Sequence, residues 1–485
     1  MDKLDKLDKL EAQLDKLVLR RTRSRDSLVS LPGSTRTKNV YKNFIKGLFE
    51  SGVTAEMIIS NEEEIQNMLK PSDATTSSQT DISTISEISP LPTSDTISTE
   101  PNQNRSRFTW ARPPVDFLVG PLMLDAASVG DTKRLKSTLG FVRNINFLDD
   151  SGATALHKAA SGGCDDIVQL LLTKGASIEA MDSNKNTPLH RAAWYDRIST
   201  VELLLSKGAS TEVVDKDNNT PLYHAAQYGY TSIVELLLSK GASTEVVDKD
   251  NTTPLHHAAW YGYTSIVELL LSKGASTEVV NNNNSTPLHH AAWNGHTSIV
   301  ELLLSNGASI EVTDKDNNTP LHRAAQNGHT STVELLFSKG ASIEAMDKYN
   351  NTPLYRAVRN GHTSTVELLL SKGASIEATN KDNNTPLHRA AMNGHTSIVE
   401  LLLSKGASIE AMDRDNNTPL HNAAQGGYTS TVELLLSKGA STEVMDKYNY
   451  TPLQLARIFG HTWVVELLER VKATNSLETY ETVSG

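Results

Sequence analysis

Fifteen histidines, one cysteine and a recurring set of carboxylates are the side chains of this 485-residue chain whose types could do chemistry. A catalytic histidine or a metal site needs a constellation that occurs once, and these residues fall in columns instead. Seven histidines close a TPLH or TALH tetrapeptide, three follow it at His224, His257 and His290, and five follow a loop glycine. The three at His224, His257 and His290 lie one repeat apart, too widely for their nitrogens to reach one zinc at about 2.1 Å. Glu202, Glu235 and Glu268 recur in the same way, at positions expected to be exposed or capping, whereas a hydrolytic carboxylate pair would be unique. No GxGxxG, phosphate-cradling GxxxxGK or GxSxG occurs. Cys164 follows Gly163 without a dedicated basic partner and reads as an ordinary thiol. No catalytic, cofactor-binding or metal-binding residue is expected, and the chain reads as non-enzymatic.

Composition narrows the class further. A lone cysteine removes disulfide frameworks, cysteine-based zinc sites and iron–sulfur clusters, and points to a reducing, intracellular setting, cytoplasmic or nuclear. The net charge of −11 is uneven: residues 1–117 carry −1 and residues 118–485 carry −10, the wrong sign for a general polyanion binder. The start MDKLDKLDKL lacks the apolar run of a signal peptide, and no stretch approaches the roughly 18 apolar residues of a membrane span.

The elements that must carry these columns follow from a period. Thr154 and then Thr187, Thr220, Thr253, Thr286, Thr319, Thr352, Thr385, Thr418 and Thr451 each open a TPL-like tripeptide, every one 33 residues after the last. One period earlier, Ala126-Ala127 and Gly130 occupy the columns of Ala159-Ala160 and Gly163, marking a degenerate further copy, so the array spans about 118–472. Within the copy at 215–247, Thr220 can cap a helix with Pro221 at its first position, and Gly229 ends it. Ser232 with Glu235 reads as a capping box for a second helix, whose apolar stripe of Ile233, Val234, Leu236, Leu237 and Leu238 stops at Gly241. The tract around Asp215 to Asn219 makes a polar turn, where Asn218 can take a left-handed conformation. One copy buries too little to fold alone, so stability must come from packing against neighbours.

TPLH, the AA pair, GH, the VELLL helix and the GA turn together resemble an ankyrin repeat, over about 355 of the 485 residues. The resemblance implies an all-α ankyrin-repeat solenoid of about eleven helix-turn-helix units with β-hairpin-like turns, and a concave face of inner helices and hairpins that binds other proteins. It also implies that the TPLH imidazole hydrogen-bonds within and between neighbouring units. Two departures stand out. The family's turn glycine appears as Gly152 but is Lys185 in the next copy, where strain is expected, and asparagine from Asn218 to Asn449 thereafter. The family's GADVN is GASIE or GASTE, which leaves the bonds of that Asp and Asn without an obvious successor. The end units have capping character: the first has lost most of the motif, and the last carries Gln454, Phe459, Trp463 and a charged finish at Glu469, Arg470 and Lys472, with a disordered tail expected over 473–485.

Ahead of the array, Leu7, Leu10, Leu14 and Leu17 predict an amphipathic or coiled-coil helix over 1–20 able to self-associate through residues 2–20. Residues 21–39 form a basic linker, within a basic stretch from Arg20 to Lys46 that could serve nuclear import or nucleic-acid binding. Residues 40–70 read as a small helical module, and 71–117 as a Ser/Thr/Pro-rich disordered linker.

Because the copies are nearly identical, specificity must reside where they differ, above all in the two residues after the AA pair. Trp194, Tyr195, Tyr228, Trp260, Tyr261 and Trp293 fall there in four consecutive copies, as does Arg359 further on, flanked by a basic column of Arg191, Arg323, Arg356 and Arg389. Tryptophan, tyrosine and arginine are the residues enriched at interface hot spots. Partner binding through this strip stands beside a plainer reading, in which the aromatics pack along the stack. The function expected is that of a scaffold or adaptor for a partner protein, with transcriptional coregulation in the nucleus as the alternative and nucleic-acid binding behind it. No small-molecule substrate, cofactor or membrane span is expected.

Overall fold

The computed structural model describes residues 116–484; the expectations for residues 1–115, including the leucine helix, the basic stretch and the small helical module, lie outside them. Among the described residues there are 22 helices, in consecutive pairs, and no strand. They divide into two bodies, one ending at Leu204 and the other beginning at Leu205, each described by itself.

In the first body the degenerate copy does form a helix pair, Asp116–Ser128 and Thr132–Leu139. Its Ala126 and Ala127 are fully buried, Gly130 is left-handed, and Asp131 caps the second helix by accepting from the Arg134 amide at 2.9 Å. Helices Ala155–Gly162, Asp165–Thr173 and Pro188–Trp194 follow, and helix Ile198–Ser206 contains the division at Leu204. Lys185 takes the expected left-handed backbone at φ 60°, and Asp196, standing where other copies have the loop glycine, takes it at φ 57°. Both are conformations that a Cβ disfavours.

The second body repeats one pattern seven times and closes with an eighth. In its first copy, Thr220 caps helix Pro221–Tyr228, accepting from the Tyr223 amide, and Gly229 at φ 82° closes it in the left-handed conformation. In several copies the histidine answers the cap. In the copy at 253, the Thr253 amide donates to His256 Nδ1 at 3.2 Å, while His256 Nε2–H donates to the Ser285 carbonyl of the next copy at 3.0 Å. One imidazole therefore closes its own helix and ties two copies together, as the resemblance implied.

The outer helices differ from the sequence reading. The Ser232–Glu235 capping box is not formed: helix Thr231–Ser239 begins two residues earlier than that cap would place it, with Tyr230 at the N-cap position and no side-chain cap, and Glu235 is exposed. The Val234 amide instead donates to the Tyr230 carbonyl at 3.0 Å, so the turn of the preceding glycine loop starts the helix. The open question of the GAS(I/T)E turn has a clear answer, since its glutamate reaches the next copy. Glu212 Oε1 accepts from the Ser243 amide at 3.0 Å, and Glu311 Oε1 from the Ser342 amide at 2.7 Å. Three of the left-handed asparagines do likewise, Asn251 Nδ2 donating to the Val280 carbonyl at 2.7 Å and Asn218 and Asn284 reaching the equivalent carbonyls.

At the far end, Gln454 replaces the histidine in its local role, Oε1 accepting from the Thr451 amide at 2.8 Å, while Ile458, Phe459 and Trp463 are exposed. The disordered tail expected from 473 is helical instead, because helix Thr462–Ser484 meets neither proline nor glycine to stop it.

Candidate functional site

The variable pairs stand at the C-terminal ends of the first helix of each copy, where a short helix capped at the other end leaves its last turn and loop to project. In the first body these are Trp194, half-buried, and Tyr195, exposed, with Arg191 one turn earlier. In the second body Tyr228, Trp260 and Tyr261 are exposed at 41%, 39% and 48%. Such exposure is high for rings that folding could bury.

These rings are held rather than loose. Tyr228 stacks on Tyr230 with centroids 6.0 Å apart, and Tyr261 on Tyr263 at 5.8 Å, each at an interplanar angle of 24°. A Cβ on Gly229 would stand 2.8 Å from the Tyr263 ring, so the glycine is required both by its φ of 82° and by the approach of the next copy's tyrosine. Trp260 meets the edge of His290 at 5.1 Å, and the Arg323 guanidinium lies 4.8 Å above the Trp293 ring. Packing along the stack and exposure to solvent therefore coexist in the same side chains.

The arginine column has a different fate. Arg191 pairs with Asp182 at 2.5 Å, and Arg323 and Arg356 pair with Asp314 and Asp347. In each case the carboxylate is almost fully buried and lies nine residues earlier, at the base of the turn. Burial would raise the Asp347 carboxyl, yet hydrogen bonds from Asn351 and the charge of Arg356 hold it below the usual range. Arg389 finds no aspartate, since the matching position is Asn380; its Nε donates instead to the Tyr355 hydroxyl at 2.9 Å, which also accepts from Asn380 Nδ2 at 3.1 Å. The basic column is thus largely neutralised within the chain, and Arg359, exposed, is the guanidinium of the set most open to solvent.

The same turn-to-helix pairing explains the three odd histidines. His224 Nε2 meets Asp215 Oδ2 at 3.0 Å, and His290 Nε2 faces Asn281 Nδ2 at 3.2 Å. His257 Nε2 meets the Tyr223 hydroxyl at 2.5 Å, which in turn donates to Asp248 Oδ2 at 2.5 Å. Burial works upward on Asp215, but the hydrogen bonds from His224 and Asn219 bring it down to about 2. Burial, reinforced by neighbouring histidines, lowers His290 to about 3. Through Nε2, each of these imidazoles helps to hold turn to helix. Among the described residues no cluster of three or more His, Cys, Asp or Glu could hold a metal ion. Burial and the neighbouring Asp165 raise the Cys164 thiol, which leaves it a poor nucleophile at neutral pH.

Sequence reasoning missed the charge map around the aromatics. Between Asp250 and Glu301 the only charged residues are Glu268, Lys273 and Glu278, all on or after the second helix of one copy, so two successive first helices and their loops, and the turn from Asn281 to Ser285 between them, carry no charge. Elsewhere the turns are linked by ion pairs one copy apart, such as Lys249 with Asp217 at 2.7 Å and Lys348 with Asp316 at 2.5 Å. The positions equivalent to Lys249 and Asp217 become Asn282 and Asn283 in the neutral stretch, and Asn282 Nδ2 donates to the Lys249 carbonyl at 3.1 Å. The signal, a run from Asn281 to Asn284 and an arginine column interrupted by His257 and His290, was visible as columns that change together.

A family model of ankyrin repeats in three copies matches residues 122–215, 208–281, 273–347, 344–413 and 387–476. No curated protein matches the sequence. Among the described residues no helix is long and apolar enough to cross a membrane.

Proposed function

The chain belongs to the ankyrin-repeat family, a class of protein–protein interaction modules, and we propose that it is a non-enzymatic scaffold whose partner binds the aromatic strip of the second body. The observation that carries this reading is the half-exposure of Tyr228, Trp260 and Tyr261, each ring pre-positioned by a neighbour, with Trp260 and Tyr261 in a run from Asn251 to Val267 that carries no charge. Rings already ordered lose little entropy on binding, and a rigid repeat stack adds no ordering cost of its own. The arginines contribute indirectly: Arg323 backs Trp293, and its charge is matched by Asp314.

Affinity capture from cell extract with the intact chain beside a Trp260→Ala/Tyr261→Ala variant tests the proposal. Loss of a captured protein, at an unchanged melting temperature, supports binding. Retention of every captured protein with a lowered melting temperature makes the strip a packing feature and removes the reading.

A further inference from the structure

We propose that the occupant of this strip is an uncharged, proline-rich segment of a partner in the polyproline II conformation; the inference rests on the interaction reading above and specifies its ligand. Three observations converge. The pads recur once per copy, at Tyr228, at Trp260 with Tyr261, and at Trp293. Neighbouring helices pack at roughly 8 to 10 Å, and one turn of polyproline II, three residues at about 3.1 Å each, advances about 9.3 Å. A segment with an apolar or proline residue at every third position therefore keeps pace with the pads.

Charge complementarity is the second observation. The first helices and loops that carry Trp260 and Trp293, with the turn from Asn281 to Ser285 between them, hold no charged residue from Asn251 to Val267 or from Asn281 to Val300, so a charged segment lying on them would gain no ion pair and would lose hydration. The third is the donor set. Among the described residues no hydrogen bond is formed by the Trp260 indole N–H, the Tyr261 hydroxyl or the side-chain amide of the exposed Asn283. A polyproline II backbone has no internal hydrogen bonds and offers its carbonyls to such donors, whereas a helical partner has already used its own. Flat rings that carry unbonded donors of their own thus suit a ligand of apolar rings and open carbonyls.

The test uses the full chain and a synthetic uncharged peptide of about four polyproline II turns with proline at every third position, followed by calorimetry and tryptophan fluorescence. Saturable binding is expected, weakened at least about 10-fold by Trp260→Ala and a few-fold by Tyr261→Phe, which removes only a hydroxyl. Trp463→Ala, at a ring 75% exposed in the last copy, should leave it unchanged. Because no ion pair is involved, affinity should vary less than about two-fold between roughly 50 and 500 mM salt. Equal binding by Trp260→Ala, a steep salt dependence, or binding of an uncharged amphipathic helical peptide in place of the proline-rich one would overturn the proposal. If the peptide fails while a cellular partner is still captured in a Trp260-dependent way, only the ligand class is wrong; if capture ignores Trp260, the interaction surface itself is wrong.

Discussion

Two stretches of the second body share a skeleton and differ in surface. From Thr220 to Ser305, first-helix ends carry Tyr228, Trp260, Tyr261 and Trp293, and the histidines His224, His257 and His290 take the position facing the turn. From Thr319 to Ser437 the same ends carry Gln326, Asn327, Arg359, Asn360, Met392, Asn393, Gln425 and Gly426, and arginine takes the turn-facing position three times. The imidazole tie is the same in both, 3.0 Å from His256 to the Ser285 carbonyl and 3.0 Å from His322 to the Asn351 carbonyl. The skeleton is thus indifferent to the variable columns, which leaves them available for recognition.

If that separation holds, core truncation should cost the same on either side. Leu270 and Leu369 are both fully buried in equivalent second helices, and Leu270→Ala and Leu369→Ala should each lower stability by about 2 to 5 kcal/mol in denaturant unfolding. A large inequality between them would show that the two stretches are not one scaffold.

Removing a turn carboxylate should separate the stretches. Asp347→Ala strands Arg356 beside a buried turn and should cost about 3 kcal/mol, against a smaller loss for Asn281→Ala, whose partner His290 is neutral at working pH. Urea titrations of both variants would settle the order.

A response to acid is expected as well, spread over several pH units. Burial lowers His256 and His322 each to about 4, despite the opposing backbone bond to the next copy. An unfolded histidine takes up its proton near 6.5, so the unfolded state binds more protons between about pH 6.5 and 4. Stability is then fully present above that window and falls through it, by about 1.4 kcal/mol per pH unit for each such histidine. His256→Gln, copying the solution the chain uses at Gln454, should remove about one proton from that dependence, measured as the slope of unfolding free energy against pH. An unaltered slope would mean that His256 is not kept neutral by the fold.

Much of this was legible before any coordinates. The 33-residue period, the threonine caps, proline at the first helical position and the closing glycines are local signals, because each concerns a turn and its immediate neighbours. The Ser232–Glu235 cap misled because a helix start two residues earlier, at Thr231, is set by the preceding loop and not by a side chain. The arginine column was legible as a column, while its ion pairs were not: only the folding of the turn back onto the first helix brings Asp314 and Asp347, nine residues earlier, against Arg323 and Arg356. For the aromatics, residue type and spacing announced a strip, while the stacking of Tyr261 on Tyr263 and of Trp260 against His290 belongs to three dimensions.

The most direct test of the central claim, that recognition resides in the aromatic stretch and not in the arginine-bearing one, is the affinity of a captured partner for Trp260→Ala compared with Arg359→Ala, both exposed and both at the end of a first helix. The account predicts a loss of roughly 2 kcal/mol or more for Trp260→Ala and almost none for Arg359→Ala; the reverse order, or equal losses, would contradict it.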